Sequence, residues 1–297
     1  MDFNPSLLYR LNRGEFVVSV QLDPPRSADL GEFMRLVDKF RDCGVQVFDI
    51  NSSRRLSQDS MHLAALLQGR GLTTIPHITS RDATPDGLLK QALAACGQGV
   101  RSFLAITGDR YDPLKSASGT AGVFHGDSIT IIQAMDQRLR KNAEISAPLC
   151  LGASIDQNVA DLNLERERAK VKIAYGTDFF MSQPVFGISD ALRLKRFADS
   201  CVDRPVLMGV WPLVSKKTIE NIAAGKVKGV VLPDHVLRQA QELFEDEYLL
   251  QLWGTEEAYR LIAWVRKTRA AQGIYFIAPS RNPEQILKLV EQIMKLA

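Results

Sequence analysis

Val17-Val18-Ser19-Val20-Gln21-Leu22-Asp23-Pro24-Pro25-Arg26 is a short apolar run that turns polar at its end and is stopped by two prolines. Proline has no amide hydrogen to give to a neighbouring strand, so a strand entering this stretch leaves its sheet at Pro24. Side chains alternate along a strand, which puts Gln21 and Asp23 on one face at the strand's carboxyl end. Barrel enzymes keep their chemistry at that end. The plain alternative is a sheet exit capped by Asp23, and the motif alone does not decide between the two.

Working outward, runs rich in Val, Ile, Phe and Thr recur at 16–21, 45–50, 72–78, 102–107, 148–153, 178–182, 205–211 and 274–278, eight in all. Amphipathic segments separate them, among them Leu30 to Phe40, Leu88 to Ala95, Ala191 to Phe197 and Ile286 to Met294. Thr84-Pro85 and Asn282-Pro283 each pair a capping side chain with a proline suited to a first helical turn. Strand and helix alternating at this spacing, with no Gly/Ser/Pro linker, predict an α/β fold: a single (β/α)8 TIM barrel forming one domain over 1–297. Helical stretches at 234–246 and 255–272 predict extra helices between strands seven and eight. An open doubly wound sheet is the alternative, but no Gly-x-Gly-x-x-Gly follows the first strand.

The 297 residues carry 37 Lys and Arg against 34 Asp and Glu, a formal net charge of +3. The basic residues are scattered among acids and not interleaved with aromatics, so nucleic acid is not indicated. No apolar run approaches the ~20 residues of a membrane span, and Met1-Asp2-Phe3-Asn4-Pro5 lacks a basic-then-apolar targeting pattern. No membrane and a cytoplasmic location are the expectation. Cys43, Cys96, Cys150 and Cys201 lack the close pairing of zinc sites and read as reduced, buried, small hydrophobes, with no metal expected.

Polar residues collect at the predicted strand ends. The second run closes with Asp49-Ile50-Asn51, the third with His77-Ile78-Thr79-Ser80-Arg81-Asp82, the fourth with Thr107-Gly108-Asp109 and the sixth with Ser182-Gln183-Pro184. A barrel would bring all of these to one rim, the layout of an active site. Each has a plainer reading: His77 as a hydrogen-bonded core histidine, Gly108-Asp109 as a turn, Arg81-Asp82 as a salt bridge, Gln183 as a group satisfying backbone, Trp211-Pro212 as packing.

Five segments in order carry a resemblance: Gln21-Leu22-Asp23-Pro24-Pro25, Pro76-His77-Ile78-Thr79-Ser80-Arg81-Asp82, Leu104-Ala105-Ile106-Thr107-Gly108-Asp109, Gly176-Thr177-Asp178-Phe179-Phe180-Met181-Ser182-Gln183-Pro184-Val185-Phe186 and Gly209-Val210-Trp211-Pro212-Leu213. The chain resembles the methylenetetrahydrofolate reductase family over nearly its whole length. It is most similar to the reductase domain of the bifunctional homocysteine methyltransferase type, which shares the Leu-Asp-Pro-Pro and Ser-Gln-Pro-Val forms. The resemblance implies an oxidoreductase of one-carbon and methionine metabolism that reduces 5,10-methylenetetrahydrofolate to 5-methyltetrahydrofolate, with FAD as cofactor. NADH, NADPH or a protein electron donor would supply the hydride, and a homo-oligomer is one possibility.

By position, the resemblance implies that Asn51, His77, Thr107, Gly108, Asp109 and Lys172 line the flavin. Gln183 would hold the folate pterin, with Asp109 near both ligands and Lys172 offering positive charge to the flavin phosphates. Gln21 departs from the pattern, because relatives usually carry there the glutamate implied as the proton donor. A glutamine amide cannot supply that proton at neutral pH. Asp23, on the same strand face, is the candidate replacement; the alternative is a folate- or flavin-binding paralogue or subunit with weak or no reductase activity. Ala153 and Ser154 also stand where many relatives have bulkier flavin contacts.

Overall fold

The computed structural model describes residues 6–52, 56–109, 122–142, 148–278 and 283–296. Eight strands, β1 (Val17–Leu22), β2 (Val47–Ile50), β3 (Thr73–Thr79), β4 (Ser102–Ile106), β5 (Cys150–Ser154), β6 (Phe179–Val185), β7 (Val206–Val210) and β8 (Gly273–Ile277), pair in sequence order into a closed barrel. Every neighbouring pair is parallel, including β8 with β1. All eight expected strands are present, and parallel closure puts their carboxyl ends at one mouth.

Helix α1 (Leu7–Asn12) precedes β1, and the connections carry α2 (Gly31–Asp42), α3 (Ser60–Gln68), α4 (Pro85–Gly97), α5 (Ser128–Met135) with a π-helical turn at Asp136–Arg140, α6 (Leu162–Ala174) and α7 (Ile188–Asp199). Helices α8 (Lys216–Ala223), α9 (Asp234–Glu242) and α10 (Glu247–Thr268) fill the connection from β7 to β8, and α11 (Pro283–Lys295) follows β8. Several of these start for reasons visible in the chain. Thr84 accepts from the Gly87 amide with Pro85 in the first turn, and Asp59, Asp127 and Asp161 accept from amides two or three residues on. Asn282, expected to cap α11, lies outside the described residues.

The expected extra helices are found, with shifted ends. Helix α10 begins earlier than 255 because Asp246 caps it through the Leu249 amide, and it ends before 272 because Arg269 adopts a left-handed conformation at φ 52°. Cys96 and Cys150 are buried as expected, but Cys43 and Cys201 are only half-buried. Cys43 caps the end of α2 and Cys201 follows the end of α7, where the chain turns back toward solvent.

Two apolar layers hold the barrel. One lies between strands and helices and includes Val20, Phe48, Phe103, Phe180 and Ile274. The other fills the interior, where Val17, Val47, Ile75, Leu104, Phe179, Leu207 and Tyr275 pack with Leu7 and Leu11 of α1. The described helices include none long and apolar enough to cross a membrane.

Glycines make room for the interior aromatics. A Cβ on Gly152 would lie 2.3 Å from the Phe179 ring, and one on Gly209 would lie 2.6 Å from the Tyr275 hydroxyl. Gly152→Ala therefore forces Phe179 off its position inside a packed barrel and should destabilise the protein by about 1–3 kcal/mol. Urea unfolding measures this, and an unchanged midpoint would contradict the packing described.

Candidate active site

Val17, Val47 and Ile75 face the interior, so alternation turns Ser19, Gln21, Asp49 and His77 the same way. Beneath the mouth these form a buried polar group. The Ser19 hydroxyl donates to Asp49 Oδ1 at 2.6 Å, while Asp49 Oδ2 faces His77 Nε2 at 3.4 Å without forming an aligned hydrogen bond. Asp49 is fully buried and His77 nearly so. Across the barrel, the Tyr275 hydroxyl donates to the Ser182 carbonyl at 2.6 Å, and burial, assisted by the Asp49 charge, pushes its pKa far up. Tyr275 is accordingly a fixed donor.

Gln21 is half-buried and stands in register with Asp49 on β2. One step further out, Asn51 Nδ2 donates to Asp23 Oδ1 at 2.9 Å, tying the exposed Asp23 carboxylate to the lip. Gln21, Asp23, Asn51 and His77 thus come together at the ends of β1, β2 and β3.

The ends of β3 and β4 are locked by Arg81, which is 2% exposed. Its guanidinium binds both oxygens of Asp82, at 2.7 and 2.5 Å, and reaches the Ser52 hydroxyl at 3.2 Å, so the plain salt-bridge reading of Arg81-Asp82 holds. The Ser80 hydroxyl donates to the Thr107 carbonyl, and the Thr107 hydroxyl accepts from the Ser128 amide at the start of α5. Gly108 has φ +81°, and a Cβ there would come within 3.1 Å of Thr79 and 3.2 Å of Arg81. Glycine lets the β4 turn press against β3 and brings the half-buried Asp109 to the mouth.

The β5 and β6 side depends on a bulge. Met181 pairs with Leu207, but the next pair is Pro184 with Gly209, so β6 carries one extra residue. Pro184 has no amide to give to the ladder. The Ser182 hydroxyl accepts from the Gly209 amide at 3.1 Å, and the Gln157 side chain makes two bonds to the Gln183 backbone, at 2.9 and 3.1 Å. Gln183 is thereby held at the mouth with its side chain against bare Gly229. A Cβ on Gly229 would lie 3.0 Å from the Gln183 amide and 3.1 Å from Asp156 Oδ2.

Lys172 sits differently from the other candidates. It is 3% exposed, donates to the Ser154 carbonyl at 2.6 Å and lies 3.8 Å from Glu165 Oε1. Burial lowers its pKa, with Glu165 acting the other way. Glu165 Oε1 also accepts from the Asp156 amide at 3.1 Å, and burial raises the Asp156 carboxyl pKa against the Asn158 amide bond that lowers it. Helix α6 thus anchors the segment leaving β5 from beneath.

Asp156, Gln157, Glu165, Gly229 and Tyr275 were not singled out from the sequence. Asp156-Gln157-Asn158 is a polar run at the end of a strand, the same signal that marks the ends of β1, β2, β3, β4 and β6.

A closed parallel barrel with a sealed base and a polar carboxyl-end mouth has the layout of a barrel enzyme. Comparison with known proteins gives the family: the profile described as "Methylenetetrahydrofolate reductase" matches residues 7–293, and the chain belongs to this family of oxidoreductases. A Caenorhabditis elegans protein named "Probable methylenetetrahydrofolate reductase (NADPH)" is 21% identical over 278 residues, 89% of this chain and 40% of that protein. The Escherichia coli "5,10-methylenetetrahydrofolate reductase" is 22% identical over 259 residues, 84% of this chain and 82% of that one. A solved Clostridium thermocellum structure, described as an uncharacterized protein that binds two copies of 5-methyl-5,6,7,8-tetrahydrofolic acid, shares the fold at a TM-score of 0.64 and 14% identity, over 97% of this chain and 98% of that one.

Replacing the buried Lys172 by Met removes its bond to the Ser154 carbonyl and should cost about 1–3 kcal/mol. Thermal unfolding of Lys172→Met with no ligand added is the check. An unchanged Tm would mean the ammonium is not needed by the fold and is available to a phosphate.

Proposed function

We propose that this chain reduces 5,10-methylenetetrahydrofolate to 5-methyltetrahydrofolate as a flavin-dependent reductase of cytoplasmic one-carbon and methionine metabolism. NADH, NADPH or a protein would donate the electrons. The observation that carries this reading is the family match over residues 7–293, which spans every strand that brings a polar residue to the mouth. The C. thermocellum barrel, which binds a reduced folate, supports the ligand class.

The mouth suits FAD in one specific respect. Among the described residues, Asp49 Oδ2 and His77 Nε2 are buried polar atoms without a hydrogen-bond partner, directly below it. Asn51, His77, Thr107, Gly108 and Asp109 would hold the flavin. Lys172 would serve its phosphates by exchanging its bond to Ser154. Bound there, reduced flavin supplies the hydride. Gln183 and Asp109 would position the pterin.

The chain's own task is the proton. Breaking the bond between the one-carbon unit and N10 leaves an electron pair on N10 that must be protonated, and the Gln21 amide cannot do it. Asp23, held at the lip by Asn51, is the candidate carboxyl that would relay a proton from water to N10. The amide at position 21 is also the observation favouring a second reading: a folate- and flavin-binding protein, or subunit, with little or no turnover.

Gln21→Glu separates the two. General acids contribute ~10²–10⁴-fold, so the variant should reduce methylenetetrahydrofolate far faster than the parent if the place of the acid is merely empty, with flavin reduction by the donor unchanged. If Asp23 carries the proton, Gln21→Glu changes little and Asp23→Asn removes the folate step. Anaerobic stopped-flow at the flavin band follows each half-reaction. Parent and variants that all bind folate without reducing it would establish the binding protein.

A further inference from the structure

The rim holds a carboxylate that the reductase reading does not use. Asp156 Oδ1 accepts from the Asn158 amide at 2.8 Å, while Oδ2 and the Gln183 side-chain amide both border the bare α-carbon of Gly229. Among the described residues, neither Asp156 Oδ2 nor the Gln183 amide group makes a hydrogen bond. A charged acceptor and an amide with both a donor and an acceptor therefore stand side by side, half-exposed at the mouth and uncommitted.

The surroundings hold this pair in place without covering it. Lys172 and Glu165 fix the segment carrying Asp156, and Gln157 clamps the backbone of Gln183. Asn158 donates to the Gly229 carbonyl at 2.9 Å and accepts from Arg193 at 2.9 Å, drawing the loop between α8 and α9 over the two groups. That loop meets them with a bare α-carbon at φ +76°. Any other residue would put a Cβ within 3.1 Å of both and cover them.

We propose that Asp156 is a specificity residue of the folate site, reading with Gln183 the amino-pyrimidinone edge of the pterin. This rests on the proposed function. The edge offers two adjacent donors, the ring N3–H and the 2-amino group, next to one acceptor, the 4-oxo oxygen. Asp156 Oδ2 accepts from the donors, with the second lone pair of Oδ1 available to the neighbour, and the Gln183 amide nitrogen donates to the 4-oxo oxygen. A carboxylate is selective here, because an edge lacking the 2-amino donor leaves its charge unpaired.

The test is equilibrium binding of 5-methyltetrahydrofolate, and of the analogue carrying a methyl in place of the 2-amino group, to the parent chain and to Asp156→Asn. The parent should prefer the natural folate by about 10-fold or more, the weight of a charge-assisted bond. Asp156→Asn should bind the natural folate about 10-fold more weakly, bind the analogue nearly as the parent does, and leave flavin affinity unchanged. Equal affinities of parent and variant for the natural folate would overturn the role of Asp156 and leave the reductase reading standing. A parent chain that binds no folate would overturn both. Should Asp156→Asn not fold, the parent's discrimination between the two ligands decides, and equal binding refutes the proposal.

Discussion

The barrel closes at Gly273. In register with Val17 at the seam, it brings β8 so near to β1 that a Cβ there would lie 2.3 Å from the Val17 carbonyl oxygen and 2.8 Å from Leu207. Everything described at the mouth follows from this contact. Without closure the parallel strands would still end on one side, but β1 and β8 would be opposite edges of an open sheet, and Gln21 and Ile277 would not be neighbours. Closure also makes the interior finite. It must be filled from within, and Phe179 and Tyr275 fill it by lying over Gly152 and Gly209.

The filling is apolar only in part. Val17, Val47, Ile75 and Leu104 meet Leu7 and Leu11 at the base, whereas Ser19, Asp49 and His77 take the next positions toward the mouth. A fully buried carboxylate with one oxygen lacking a hydrogen bond among the described residues is costly, and hydrophobic residues of similar size would pack there at lower cost. Polar groups retained in such a place, one layer below a wide opening, are the pattern of a site tuned for a ligand and not of a core tuned for stability.

The fold was legible because its signals are local. Each strand is a continuous run of branched and aromatic residues, Thr84-Pro85 starts a helix by itself, and strand ends announce themselves by turning polar. Placement of Gln21, Asn51, His77, Asp109 and Gln183 at one mouth then followed from parallel closure alone. Apart from the polar end of β5 at Asp156-Gln157-Asn158, what escaped was long-range or one residue deep. The clamp between Gln157 and Gln183 spans 26 positions and the bond from Asn158 to Gly229 spans 71, and neither end shows its partner. The bulge at Gln183 is a single extra residue, visible only once β7 is laid beside β6. Lys172 is marked in the sequence only as a positive charge, with nothing to give its direction, and its ammonium is bonded inward. Cys43 and Cys201 were misjudged because burial near a helix end depends on where the chain turns, not on residue type.

Gln21 and Asp49 are best understood together. They are direct partners across the β1–β2 ladder, on the face that looks into the barrel. A glutamate at 21 would stand next to a carboxylate that is already buried, and two like charges on adjacent positions repel. The amide avoids that conflict, so an amide on β1 and an acid on β2 are compatible parts of one arrangement. The same proximity bears on chemistry. A carboxyl placed at 21 would have its ionisation opposed by Asp49, and a carboxyl that keeps its proton near neutral pH is what the proposed donation to N10 requires. Under the proposed function, the Asp49 charge one strand away would favour the protonated form of a glutamate placed at 21, the form able to act as an acid.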